Sequence, residues 1–279
     1  MVATPLGHLR DITLRALDVL RAADRVAAED TRHTRVLLEA HGIDARLVAL
    51  HRHNEHAAAA KVLEWLRQGL SVALVSDAGT PAISDPGAWV VRAAREAGFP
   101  VSPVPGPSAV VAALSAAGVP GDAFRFEGFL PARREARRER LRALSASDCV
   151  VAIHEAPHRV VETVADVVEV MGGGRRITLC RELTKLFEEM HECEAAAAGV
   201  WLAADVHRTR GEFVLLVHPA PPAPASARLD EGARVLRLLL EEMPAARAAR
   251  AAAHITGAPR DALYDLALAA GRDAGDDGQ

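Results

Sequence analysis

Cysteine is scarce in this 279-residue chain: only Cys149, Cys180 and Cys193 occur, with no C-x-x-C spacing. An odd, scattered set argues against a disulfide framework and a Cys-rich zinc site, and points to a reducing cytoplasm. Long apolar runs are missing too. None reaches the ~18 residues of a membrane span, and Met1 to Pro5 lacks the basic-then-apolar profile of a secretion signal, so no membrane partner is expected. Neither G-x-G-x-x-G nor G-x-x-x-x-G-K-[ST] is present, which leaves a conventional dinucleotide site or P-loop without support. Lysine occurs only at 61 and 185, so nearly all basic side chains are arginine. An excess of one charge sign is also lacking. The 33 Lys and Arg against 37 Asp and Glu give a net charge of -4, which at face value counts against a nucleic-acid partner.

The distribution of charge is less even than the total. Residues 133–142 carry six Arg and two Glu, a local +4, and residues 245–260 carry three Arg and no acid, a local +3. The remainder is then -11. Such runs are most often solvated helix faces, but clustered guanidiniums also grip phosphates, so RNA contact is expected to be local and salt-sensitive.

Half of the residues are hydrophobic, enough for a sizeable core, and ~150 residues per domain predicts two domains. Short apolar runs alternate with amphipathic stretches. Strands are expected at Val2-Ala3, 25–28, 71–75 and 100–103, with helices over 13–23, 31–41, 54–68, 87–97 and 108–116. Gly42, Gly69 and Gly98 stand where helix-ending glycines belong. This alternation predicts an α/β domain with a largely parallel sheet over 1–120. A second α/β unit is expected over 121–218, with helices at 133–145, 159–171 and 195–204 and strands at 149–154, 175–180, 188–193 and 212–217. A Pro/Ala linker (219–228) leads to a helical, helix-turn-helix-like unit and frayed tail over 229–279.

The most informative segment is Ser76 to Gly87, SDAGTPAISDPG, between an expected strand and a helix. Twelve residues are long for such a connection, usually ~2–6, and the small residues allow a ligand close to the backbone. The loops Ala3 to Leu9 and Val104 to Ala109 also follow expected strands. All three would converge on the crevice at the strand C-termini where open α/β sheets bind ligands. Ser108 is placed to cap its helix. His154-Glu155-Ala156-Pro157-His158 spells H-E-x-x-H, but Pro157 and the preceding strand deny it the continuous helix a zinc protease needs, so no metal is expected. The polar segments Glu29 to Arg35, His51 to His56 and Arg181 to Lys185 read as capped or salt-bridged surface, or as walls of a polar substrate site.

Together, VATPLGHLRDIT, AAEDTRHTRVLL, SDAGTPAISDPG, PVPGPSA, FEGFLPAR, EAPHR, RELTK and RGEFVLLV resemble the bacterial 16S ribosomal RNA 2′-O-ribose methyltransferases, which have the tetrapyrrole-methylase fold. The resemblance covers residues 2 to 217 and a similar C-terminal helical unit. It implies two α/β domains with S-adenosylmethionine in the cleft between them, methylation of cytidine 1402 in 16S rRNA or the 30S subunit, and a homodimer; no DNA partner is implied. Carried over, the donor site comprises Leu6, Asp77, Ala78, Gly79, Thr80, Pro81, Ile83, Ser108, Ala109, His154, Leu183 and Phe213. The candidate catalytic residues are Glu29, Asp30, His33, Glu155 and Lys185, the last needing a lowered pKa to act as a base. Arg32, Arg133, Arg134, Arg137 and Arg159 are candidate RNA contacts. Two positions depart from the resemblance: His8 replaces the usual Asn and His154 the usual aromatic. A tetrapyrrole or other small molecule is the alternative substrate, and a zinc hydrolase or a non-enzymatic RNA-binding module are more distant readings.

Overall fold

The computed structural model describes residues 1–51, 55–221 and 225–276, with side chains to 269. Arg52, His53 and Asn54 of the histidine-rich segment, Pro222 and Pro224 of the linker, and residues 277–279 of the tail lie outside the described residues. The chain forms two compact units, residues 1–220 and 221–279.

The first half of unit 1 alternates helices and parallel strands. In order come α1 (Leu14–Ala22), β1 (Arg25–Ala28), α2 (Thr31–Ala40), β2 (Leu47–Ala49), α3 (Glu55–Arg67), β3 (Val72–Val75), α4 (Ala88–Glu96) and α5 (Ala109–Ala117). The Thr13 side chain caps α1 by accepting from Ala16 N, and Asp30 caps α2 by accepting from Arg32 N. Gly42 and Gly98 lie beyond the ends of α2 and α4 with φ of +62° and +82°, which a side chain would oppose. Strand order is β2-β1-β3, all parallel, with Val26 between Leu47 and Ala73. Val26, Ala27, Ala28, Ala73, Leu74 and Val75 are all buried, as in a sheet covered on both faces.

Val2 and Val104 extend this sheet as single bridges rather than strands: Val2 N donates to Leu74 O, and Val104 N to Met1 O. The expected strand over 100–103 does not form. Pro100 and Pro103 have no N–H to give a ladder, and only Val104 joins. Strand β2 was not foreseen in its three residues.

The second half of unit 1 holds β4 (Phe124–Phe129), α6 (Arg134–Leu144), β5 (Val150–Glu155), α7 (Val160–Met171), β6 (Arg176–Arg181), β7 (Glu189–Glu194), α8 (Ala195–Ala203) and β8 (Phe213–Val217). Their sheet runs β4-β5-β8-β6-β7; only β4 and β5 are parallel. β8 sits in the middle with all five residues buried, packed on a core that includes Leu141, Ile153, Val164, Leu179 and Leu202. β4 is a strand the sequence reading missed, because Gly128 interrupts its alternation; the register shifts there and Gly128 takes φ +71°.

Helix α6 corrects one expectation. Arg137 is 1% exposed, and its guanidinium donates to Asp166 Oδ2 at 2.7 Å and to Glu162 at 3.3 Å. Arg134 and Arg138 also pair with Asp166, and Arg140 pairs with Glu127. The local +4 is thus largely neutralised, and Arg137 cannot reach a phosphate.

Unit 2 is a helical bundle of α9 (Ala225–Leu240), α10 (Ala245–Thr256) and α11 (Arg260–Asp276). Leu236, Ala248, Ala252 and Leu263 form its core, and a Cβ at Gly232 would lie 2.8 Å from Ala258. α11 continues through Gly271 to Asp276, where a frayed tail was expected.

Candidate active site

A cavity of about 450 Å³ lies within unit 1 where the strand-end loops of both sheets meet. That size is within the range of small-molecule sites. Its first wall is SDAGTPAISDPG, held by hydrogen bonds from three directions. Thr4 and Gly79 exchange backbone bonds of 2.9 and 3.0 Å. Thr80 Oγ1 donates to Pro107 O at 3.0 Å, and Asp77 Oδ1 accepts from Asp30 N at 2.9 Å. Ala82 and Ser84 both take φ of +67°, a strained state for residues with side chains. Helix α4 beyond the loop has no side-chain cap of its own; Glu55 of α3 instead accepts from Gly87 N and Trp89 N.

The N-terminus of α5 forms a second wall through Ser108, Ala109 and Val110. Ser108 occupies the capping position, but its side chain makes no cap bond. This corrects the expected cap and leaves the positive end of the helix dipole facing the cavity.

The opposite wall comes from the second sheet. His154 is the penultimate residue of β5, with Phe126 and Phe129 edge-on to its ring at 5.0 and 5.5 Å. Its Nε2 is buried without a hydrogen-bond partner among the described residues. Burial lowers the imidazole pKa, against the opposing charge of Glu212. Cys180 also lines the wall, but burial pushes its thiol up to about 12, so it stays protonated.

The loop after β6 is a tight clasp. Lys185 Nζ donates to Glu182 at 2.9 Å and to Glu212 at 3.0 Å, while Glu182 also accepts from Glu212 N. Glu182 and Thr184 have φ of +51° and +64°. The clasp touches the first loop: His8 N donates to Thr184 Oγ1, and a Cβ at Gly7 would lie 2.2 Å from Lys185 Cγ.

The carried-over donor residues Leu6, Asp77, Ala78, Gly79, Thr80, Ile83, Ser108, Ala109, His154, Leu183 and Phe213 all line the cavity. Pro81 is buried and is not among the lining residues. Of the candidate catalytic residues, Glu29 and Glu155 line it, whereas Asp30, His33 and Lys185 do not. Asp30 is occupied by Arg32 and the start of α2, and the Arg32 side-chain hydrogen bond holds its carboxyl well below the usual range. Glu155 accepts from Ala156 N at 2.8 Å and Thr163 Oγ1 at 2.5 Å. Burial pulls the Lys185 ammonium down, but Glu182 and Glu212 outweigh it and its pKa ends above the ordinary lysine value. The lowered pKa that a lysine base requires is absent.

Arg159 donates to Leu130 O and Pro131 O, so it ties down the loop after β4. Arg32 and Arg133 remain exposed, and Arg134 is exposed in part while paired. His154 to His158 spans a strand end and a turn, not a helix. Sequence reasoning missed Phe129, Cys180 and Glu212 as wall residues. Glu212 was legible only as part of RGEFVLLV, since nothing local marks it as facing a ligand.

The wall is acidic. Glu29, Asp77, Asp85, Glu155 and Glu212 line it, and among the described residues neither a lysine nor an arginine does. An acidic wall suits a cationic ligand, and the α5 N-terminus suits a carboxylate. S-adenosylmethionine carries a sulfonium, an amine and a carboxylate, so the residues present fit it.

Residues 1–199 match the family model of the tetrapyrrole (corrin/porphyrin) methylases, and residues 226–271 that of the RsmI C-terminal HTH domain. A cobalt precorrin-4 methyltransferase, CbiF, of cobalamin biosynthesis has the same fold, with a TM-score of 0.60 and 17% identity over 77% of this chain and 92% of that one. So does a uroporphyrin-III C-methyl transferase from Thermus thermophilus complexed with S-adenyl homocysteine, at a TM-score of 0.54 and 17% identity over 77% and 95%. Fold and cavity define a tetrapyrrole methylase-type protein. At finer grain, a protein of Escherichia coli O157:H7 named ribosomal RNA small subunit methyltransferase I is 48% identical over 96% of this chain and 93% of its own. The chain belongs to the ribosomal RNA small subunit methyltransferase I family.

Proposed function

We propose that the protein transfers a methyl group from S-adenosylmethionine to a ribose 2′-oxygen of 16S rRNA, at cytidine 1402 of the decoding region. The acidic cavity bounded by the Ser76–Gly87 loop and the α5 N-terminus carries this reading, because it is shaped and charged for the donor and repels phosphate. RNA therefore approaches from outside, with only the reacting ribose near the cavity mouth. When bound, S-adenosylmethionine supplies an electrophilic methyl on a sulfonium.

The chain's own residues must bind, align and handle one proton. The amides at Ser108 and Ala109 and the loop from Asp77 to Ile83 orient the donor. Glu29, on the wall at the end of β1, is our candidate acceptor for the 2′-hydroxyl proton. Lys185, held as an ammonium by two carboxylates, acts as a charge beside the mouth and not as a base. Arg32 and Arg133 offer exposed guanidiniums to phosphates.

The working domain boundaries are 1–120, 121–218 and 229–279, with 219–228 as linker, and the enzyme acts in the cytoplasm as a homodimer. Exposed Leu186 and Phe187, beside the clasp, support a covered face in the dimer. Light scattering of the purified protein tests that assembly.

Nucleotide-resolution mapping of 2′-O-methylation in cells lacking the protein tests the function. Loss of the mark at cytidine 1402, restored by the wild-type chain, is expected; an unchanged mark overturns the substrate. Glu29→Gln should lower single-turnover rate about 10²-fold or more while leaving RNA affinity unchanged.

A further inference from the structure

Among the described residues, His154 is the one basic side chain on a cavity wall that also carries five acids. Its place is fixed by pairing with Phe129 of β4 and Val214 of β8, and by the edge-on rings of Phe126 and Phe129. Nε2 is buried and makes no hydrogen bond among the described residues. Around it, Glu212 just before β8 favours protonation, and the clasp brings Lys185, already bonded to Glu182 and Glu212. On β5 itself Glu155 is held by Ala156 N and Thr163; on β4 Glu127 is paired with Arg125 and Arg140. Burial outweighs the pull of Glu212, so the ring titrates below the ordinary histidine value.

We propose that protonation of His154 sets how strongly this cavity prefers its cationic methyl donor over the spent product: the neutral ring leaves the pull of the acidic wall intact, and the protonated ring opposes it. The inference rests on the donor reading given above. S-adenosylmethionine and S-adenosylhomocysteine differ by one methyl and one positive charge. The acidic wall attracts the sulfonium, and that attraction ends when the methyl leaves, which favours release of the product. A proton on His154 places a second positive charge in the same cavity and weakens the donor selectively. A cavity of about 450 Å³ is only ~10 Å across, so this repulsion acts wherever on the floor the sulfonium rests. At an effective dielectric of ~20, like charges at that range cost about tenfold in affinity. An aromatic at this position, which the family resemblance leads one to expect, has no such titration.

Calorimetry on the full-length protein tests this, with S-adenosylmethionine and S-adenosylhomocysteine titrated separately from pH 7.5 to pH 5 into wild type, His154→Phe and His154→Gln. In wild type the ratio of donor Kd to product Kd should rise about tenfold as pH falls through the histidine range. In both variants it should stay flat. A flat ratio in wild type, or an equal slope in the variants, overturns the proposal. Should neither variant fold, the His154 ring-proton resonance of wild type decides: its pKa must lie lower with donor bound than with product bound, and equal values refute the idea. Failure of wild type to bind either molecule at pH 7.5 overturns the donor reading itself, a result distinct from binding without pH-dependent discrimination.

Discussion

Single positions in the clasp show how little slack this site has. Gly211 takes φ +86°, and a Cβ there would lie 2.4 Å from the carboxyl carbon of Glu182. Gly211→Ala should therefore cost about 1–3 kcal/mol of stability, measured by urea unfolding. It should also loosen Lys185, since Glu182 can no longer meet both the ammonium and Glu212 N. The lysine is a case where chemistry read from residue type needed correction. A lysine in a loop beside a cleft is a fair candidate base, but two carboxylates within 3.0 Å fix its proton. Lys185→Met should then weaken RNA binding or rate without shifting the alkaline limb of the pH–rate profile, a shift that a lysine base would produce. Local sequence shows residue type and loop membership; whether a charge is spent on a neighbour is settled by residues far along the chain, as Glu212 is here.

At the level of elements, α6 was legible as a helix and illegible as a surface. Its arginine spacing marks a charged face, yet Asp166 of α7 lies beneath it and takes three guanidiniums. Breaking a buried pair leaves an uncompensated charge, so Arg137→Ala or Asp166→Asn should cost about 3–5 kcal/mol in denaturant melts at pH 7. The pH dependence has a definite sign. Burial raises the Asp166 pKa, but hydrogen bonds from Arg138, Arg137 and Arg134 outweigh it and leave it below the ordinary aspartate value. Its contribution is thus complete at neutral pH and lost as pH falls below about 4 through the folded-state value. Thermal melts from pH 5 to pH 2 should fall more steeply for wild type than for Asp166→Asn. The helices of the first sheet were placed to within a residue or two because caps and glycines mark their ends. β2 and β4 escaped notice, one for brevity and one because a bulge at Gly128 breaks the alternation.

For the molecule as a whole, every cavity-lining residue falls between Leu6 and Val214, inside the unit that ends at Ala220. A chain ending at Ala220 should therefore bind S-adenosylmethionine within about twofold of the full-length Kd by calorimetry, given that contacts set affinity. A tenfold loss would show that the helical unit contributes to the donor site. The net charge of -4 also reads differently once the ion pairs are known. Arg134, Arg137, Arg138 and Arg140 of α6 are paired with acids from other elements, so the proposed phosphate contacts at Arg32 and Arg133 do not form one basic helix face.

The sequence by itself determined the alternation of strands and helices, the long glycine- and proline-bearing loop at Ser76–Gly87, and the scarcity of cysteine, because propensity, capping and composition act locally. Only the tertiary structure decided which functional groups are available. It buried Arg137, held Lys185 as an ammonium and brought five acids and one histidine to the same wall. The reason is physical: hydrogen bonds and burial fix the charge and reach of a side chain, and both are set by residues that meet only when the chain folds.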